Sequence, residues 1–183
     1  MKPVFVLSLP RSRTAWLTVY LNGCDGIKAI HDGWKYAKNA KQLKSLMERY
    51  PGIVVNADST NILFLDEIRA EFPEAKFVKI IRPIQDVEQS MKASYGEHNY
   101  SNILALSEIL EKADAGVTVE FDNWTILDTT RIYKYITDGG DVDPLWHLMA
   151  HDFKVAVTDH RIENDLLFGQ HGQLEHIVNK LRG

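Results

Sequence analysis

The segment Pro3 to Leu9 (PVFVLSL) is an almost continuous run of apolar, β-forming residues with no alternating polar positions. A strand of that kind has no face to offer to water, so it belongs in the middle of a sheet covered by helices on both sides. The rest of the chain supplies the covering. Thr14 to Leu21 carries Ala15, Trp16, Leu17, Val19, Tyr20 and Leu21, too apolar for a surface helix, and Asn22-Gly23 gives its stop. A helical stretch near Ala37 to Arg49 leads through a Pro51-Gly52 turn into the strand Ile53 to Ala57. Ile62, Leu65, Ile68 and Phe72 recur at helical spacing, Phe72-Pro73 ends that helix, and Lys76 to Ile81 is again a strand. Ile84 to Ala93 and Asn102 to Ala113 read as helices, and Val117 to Phe121 as a fourth strand. Further helical stretches surround Thr129 to Ile136 and Leu145 to Phe153. Such alternation predicts a three-layer α/β/α domain with a central, mostly parallel sheet. In the tail, Leu174, Ile177, Val178 and Leu181 predict an amphipathic docking helix over Gly172 to Arg182. No linker interrupts residues 1–183, which are expected to form one domain.

Composition narrows the partners. With 21 basic and 25 acidic residues the formal charge is −4, so no bulk positive field exists to hold a nucleic acid. Any anion must be held by a local cluster. No segment approaches the ~20 apolar residues of a membrane span, and no signal-peptide core precedes a cleavage site. Cys24 is the single cysteine, which excludes an internal disulfide, and the expected address is the cytosol.

The link from the first strand into the first helix reads Leu9-Pro10-Arg11-Ser12-Arg13-Thr14. In an open α/β sheet ligands collect at the carboxyl ends of the strands, where a helix N-terminus offers free N–H groups and a positive dipole end. Arg11 adds forked donors suited to phosphate or sulfate oxygens, and Ser12 and Thr14 add hydroxyls. The loop therefore reads as an anion cradle, with a plain helix-capping turn as the competing reading. It is not the nucleoside-triphosphate loop, whose glycines and lysine are absent.

Pro10-Arg11-Ser12-Arg13-Thr14-Ala15-Trp16 resembles a loop of the sulfotransferase family. That loop has proline, a basic residue, serine, glycine, two threonines and then tryptophan or leucine. A second stretch, Asp58 to Ser90 (DSTNILFLDEIRAEFPEAKFVKIIRPIQDVEQS), resembles the family's segment leading to its 3′-phosphate residues. The resemblance implies a P-loop-like fold and 3′-phosphoadenosine 5′-phosphosulfate as sulfuryl donor, with no metal required. It carries the 5′-phosphosulfate contacts onto Arg11, Ser12, Arg13, Thr14, Ala15 and Trp16, and the 3′-phosphate contacts onto Arg82 and Ser90. Arg11 becomes the candidate stabiliser of charge on the leaving oxygen. The acceptor hydroxyl or amine must lose a proton, and many members place a glutamate about twenty residues after the loop for this. His31 stands there, followed by Asp32; imidazole suits proton abstraction near neutral pH, and a surface-loop histidine is the competing reading. Asp58, at the end of the strand Ile53 to Ala57, is a further carboxylate that either orients the acceptor or caps the next helix.

The chain also departs from the pattern. Arg13 replaces the loop glycine, Ala15 replaces the second threonine, and Ser59-Thr60-Asn61 lacks the family's lysine and proline. Near the C-terminus only Lys180 and Arg182 stand in for the late basic motif. Rival readings are a nucleotide-dependent kinase of related fold and a non-catalytic anion-binding protein. His147 and His151 have zinc-compatible spacing but lack the metalloprotease glutamate. Asp138, Asp141 and Asp143 read as a solvated loop, and Trp124 and Tyr133 as core more than as an adenine platform. Neither the acceptor nor the oligomeric state is fixed by the residues.

Overall fold

The computed structural model describes residues 1–96, 100, 102–120 and 126–141. Phe121, Trp124, Asp143, His147, His151, Lys180, Arg182 and the helices expected over Leu145 to Phe153 and Gly172 to Arg182 lie outside the described residues.

The apolar N-terminal run becomes β1 (Lys2–Ser8), whose residues after Lys2 are all buried. It is the centre of a five-stranded sheet in the order β2-β3-β1-β4-β5, formed with β2 (Ile27–His31), β3 (Ile53–Ala57), β4 (Lys76–Ile81) and β5 (Val117–Glu120). Every neighbouring pair is parallel. Because successive strand residues point to opposite faces, β1 feeds two cores at once. Val4 and Val6 pack with Leu17, Tyr20 and Leu21 of α1 (Thr14–Asn22) and with Ile132 and Ile136 of the last described helix, Ile126–Ile136. Phe5 faces the other layer, against Leu43 and Met47 of α2 (Ala40–Met47) and Ile68 of α3 (Leu65–Glu71). Leu7 meets Val87 of α4 (Ile84–Tyr95) and Leu110 of α5 (Asn102–Lys112) on that same side. The helix Ile126–Ile136 is α6. The three-layer arrangement is the one the sequence pattern predicts.

β2 is the correction. The sequence reading leaves residues 27–31 in the link after the first helix and counts four strands, whereas the structure makes them a fifth strand paired with β3 from Ile27↔Ile53 to His31↔Ala57. Lys28 and Ala29 are weak β-formers between the two isoleucines and the run is only five residues long, so tertiary pairing decides its conformation. Asn22 assists. Its side chain donates from Nδ2 to the Ala29 carbonyl at 3.0 Å and accepts from the Ala29 N–H at 2.9 Å, standing in for a neighbouring strand. The Ile62 to Phe72 helix likewise resolves into a 3-10 turn over Ser59–Ile62 followed by α3. Among the described residues no helix is long and apolar enough to cross a membrane.

Candidate functional site

The carboxyl ends of β1, β2, β3 and β4 bring together Ser8, His31, Asp58 and Arg82, with the 9–13 loop above them. Two residues of that loop, Arg11 (φ 62°) and Arg13 (φ 58°), adopt the left-handed backbone conformation on either side of Ser12. Such alternation is the sign pattern of a nest of backbone N–H groups that favours anions. Arg13 thus keeps the backbone conformation glycine would take at this position, and its carbonyl accepts the first helical bond, from Leu17 N–H at 2.9 Å. A side chain in that conformation is strained by about 1 kcal/mol. Arg13→Gly is therefore expected to be more stable than Arg13→Ala by about 1 kcal/mol, read as a higher urea midpoint. Equal midpoints would show that the loop carries no such strain.

Ser12 is fully buried, and its Oγ makes no hydrogen bond among the described residues; the same holds for Ser8 at the end of β1. Buried hydroxyls are ordinarily hydrogen-bonded, so both keep bonding capacity for a polar group at this end of the sheet. The first-turn N–H groups of α1 add a positive dipole end beside them. The side chains of Thr14, Ala15 and Trp16 are half-buried along that turn. Trp16 stacks on Tyr20, with ring centres 5.5 Å apart.

The two sequence stretches meet in space. Arg11 Nε donates to Ser90 Oγ at 3.2 Å across 79 residues of chain, and Arg82 Nη1 donates to the Arg11 carbonyl.

His31 is buried, 6% exposed, and not a surface-loop residue. Its Nε2 lies 3.2 Å from Thr14 Oγ1 and 3.5 Å from Asp32 Oδ1, and Asp32 Oδ2 pairs with Lys35 Nζ at 2.7 Å. Asp58 sits beneath this turn. Its Oδ2 accepts from Trp34 N–H at 3.0 Å, and its Oδ1 accepts from Thr60 N–H at 2.8 Å, capping the 3-10 turn. Burial pushes the Asp58 carboxyl above its ordinary range, the two N–H donors pull it back, and nearby Asp32 adds to the rise. In this arrangement Asp58 caps and braces.

Residue-type reasoning overlooks the group that holds the His31 turn. Asn61 Oδ1 accepts from Trp34 Nε1 and from Asn56 Nδ2, both at 2.8 Å, while Asn61 Nδ2 donates to the carbonyls of Val6 and Asn56. Gly33 N–H donates to Asn56 Oδ1, and a Cβ at Gly33 would lie 2.5 Å from that oxygen, so only glycine fits. The available signal is the asparagine inside IVVNA, a polar residue in an apolar strand.

Residues 4–134 match the sulfotransferase domain family. The chain belongs to the sulfotransferase family. Among solved structures, this sulfotransferase-family chain is similar to mouse sulfotransferase SULT7A1 complexed with PAP. The identity is 16% and the TM-score 0.56, over 92% of this chain and 66% of that one. A shikimate kinase from Bacteroides thetaiotaomicron is similar at 11% identity and TM-score 0.48, over 75% of this chain and 98% of its own. A sugar kinase from Janibacter sp. HTCC2649 gives 12% and 0.49, over 75% and 95%. The SULT7A1 likeness shows the P-loop-like fold. No curated protein matches the sequence.

Proposed function

We propose that this sulfotransferase-family chain binds 3′-phosphoadenosine 5′-phosphosulfate at the strand ends and transfers its sulfuryl group to a hydroxyl or amine acceptor. The observation that carries the reading is the meeting of the 9–13 loop with Arg82 and Ser90, which joins the two family-like stretches into one cationic, hydroxyl-bearing surface. The orphaned Ser12 hydroxyl fits an anion there. The nucleotide supplies an activated sulfuryl group; the chain supplies position and charge. Ser12, Thr14 and the N–H groups over Ala15 and Trp16 bind the 5′ end, with Arg13 adding positive charge at its rim. Arg82 and Ser90 bind the 3′-phosphate.

His31 takes the acceptor proton in this scheme. Its Nε2 is the atom beside Thr14, at 3.2 Å, so a proton leaving an acceptor at the α1 N-terminus is received there. Asp32 Oδ1, 3.5 Å away, faces the imidazolium that results. Asp58 holds the Trp34 amide and keeps the turn in place.

Calorimetric titration tests the reading. We expect 3′-phosphoadenosine 5′-phosphate to bind at least about tenfold more tightly than ATP with magnesium, since only the former presents a 3′-phosphate to charged donors. Binding of ATP alone would sink it in favour of a kinase.

A further inference from the structure

A cavity of about 390 Å³ lies between β2 and α2, on the face of the sheet away from the His31 imidazole. Neighbouring residues of a strand point to opposite faces, so His31 reaches Thr14 of α1 while Ile30 packs with Leu43 and Met47 of α2. Ile30 and Leu46 give the cavity an aliphatic lining. Tyr36, which ends the 3-10 turn Gly33–Tyr36, and Tyr50 give it an aromatic one. Two of its polar groups are already engaged: Ser45 Oγ donates to the Lys41 carbonyl at 3.2 Å, and Gln42 Oε1 accepts from Lys38 N–H at 2.9 Å. Arg49 is different. Among the described residues it is the only charged group in the lining, and its guanidinium makes no ion pair or hydrogen bond.

The surroundings share that sign. Between Ile27 and Tyr50 stand six basic residues and two acidic ones, in a chain whose formal charge is −4. Of the two acids, Asp32 is held by Lys35, and Glu48 lines a different cavity. Lys28 Nζ lies 5.2 Å from the centre of the Tyr50 ring, and burial pulls its ammonium below the ordinary lysine range, a cost that a nearby anion offsets. Arg49 and Tyr50 also border the adjoining cavity of about 570 Å³, but Glu48, Glu71 and Glu74 line that one and repel an anion.

We infer that the cavity between β2 and α2 is a second binding site, for a flat aromatic ligand carrying one acid group, with Arg49 on the acid and Tyr36 and Tyr50 against the rings. Its volume suits a small molecule, tyrosine rings favour offset or edge contacts with another ring, and a guanidinium forks onto a carboxylate or sulfate. The site stands apart from the phosphosulfate surface and does not depend on that reading.

Calorimetric titration of the full chain with 2-naphthoate and its neutral counterpart 2-naphthamide tests the assignment. The acid is expected to bind about fivefold more tightly than the amide, the worth of a partly exposed charge contact, and Arg49→Gln should erase that preference. Tyr36→Ala should weaken acid and amide alike, by about threefold or more. Both variants change exposed side chains and should melt near the parent temperature, so a loss reads as lost binding. Saturating 3′-phosphoadenosine 5′-phosphate should leave the naphthoate affinity within about twofold, as independent sites require. No saturable binding of 2-naphthoate, equal affinity for acid and amide, or displacement by the nucleotide would overturn the assignment, as would an Arg49→Gln chain that still prefers the acid.

Discussion

His31→Ala is expected to slow sulfuryl transfer by about two to four orders of magnitude, the usual contribution of a positioned general base. Affinity for 3′-phosphoadenosine 5′-phosphate should stay within about twofold, because the atom of the binding loop that His31 Nε2 meets, at 3.2 Å, is the Thr14 hydroxyl and not a backbone N–H. Turnover is followed as release of that nucleotide from the phosphosulfate in the presence of phenol and amine acceptors. His31→Gln separates chemistry from architecture. Glutamine can keep a hydrogen bond to Thr14 at the end of β2 yet has no basic nitrogen, so it should melt near the parent temperature and remain inactive. Turnover preserved in both variants would remove His31 from the mechanism and leave Asp32 as the base to test.

The second large effect is on stability. Asn61→Ala should lower the unfolding free energy by about 3–5 kcal/mol, near the upper end for a single substitution. Asn61 is fully buried and its amide serves two donors and two acceptors, from Trp34, Asn56 and the Val6 and Asn56 carbonyls. Alanine strands all four, at about 1–3 kcal/mol for each group that cannot relax toward water or another partner. For a chain of this size that corresponds to a melting temperature roughly 10 °C lower. Trp34→Phe removes one of the four bonds and should fall only about 1–2 kcal/mol. A loss below 1 kcal/mol for Asn61→Ala would mean that the 31–34 turn is held by other contacts.

What was legible in the chain follows from how each element is encoded. β1 declares itself because a strand buried on both faces must be apolar throughout, and β4 is readable because the β-formers of KFVKII follow the Phe72-Pro73 stop and end at the charged Arg82. β2 is not legible: its order comes from β3 on one side and the Asn22 amide on the other, neither of which is a local property of IKAIH. The same holds for the site. Ser12 and Thr14 can be nominated from residue type and spacing, and His31 from the family resemblance, but the crossing of Arg11 to Ser90 starts from a left-handed backbone at a non-glycine residue. Residue type would have argued against that conformation. Arg13, out of place in the sequence pattern, is accounted for by dihedral angles, since it occupies the glycine conformation without being glycine.

The Asn22 amide at the margin of β2 has a further consequence for the behaviour of the protein in concentrated solution. An outermost parallel strand is a template on which another molecule's strand can grow, and each added strand exposes a new one. By occupying both the N–H and the C=O of Ala29, Asn22 breaks that template near its midpoint without a proline or a bulge. The sheet is thereby terminated chemically as well as sterically, and resistance to self-association is written into the last residue of a helix.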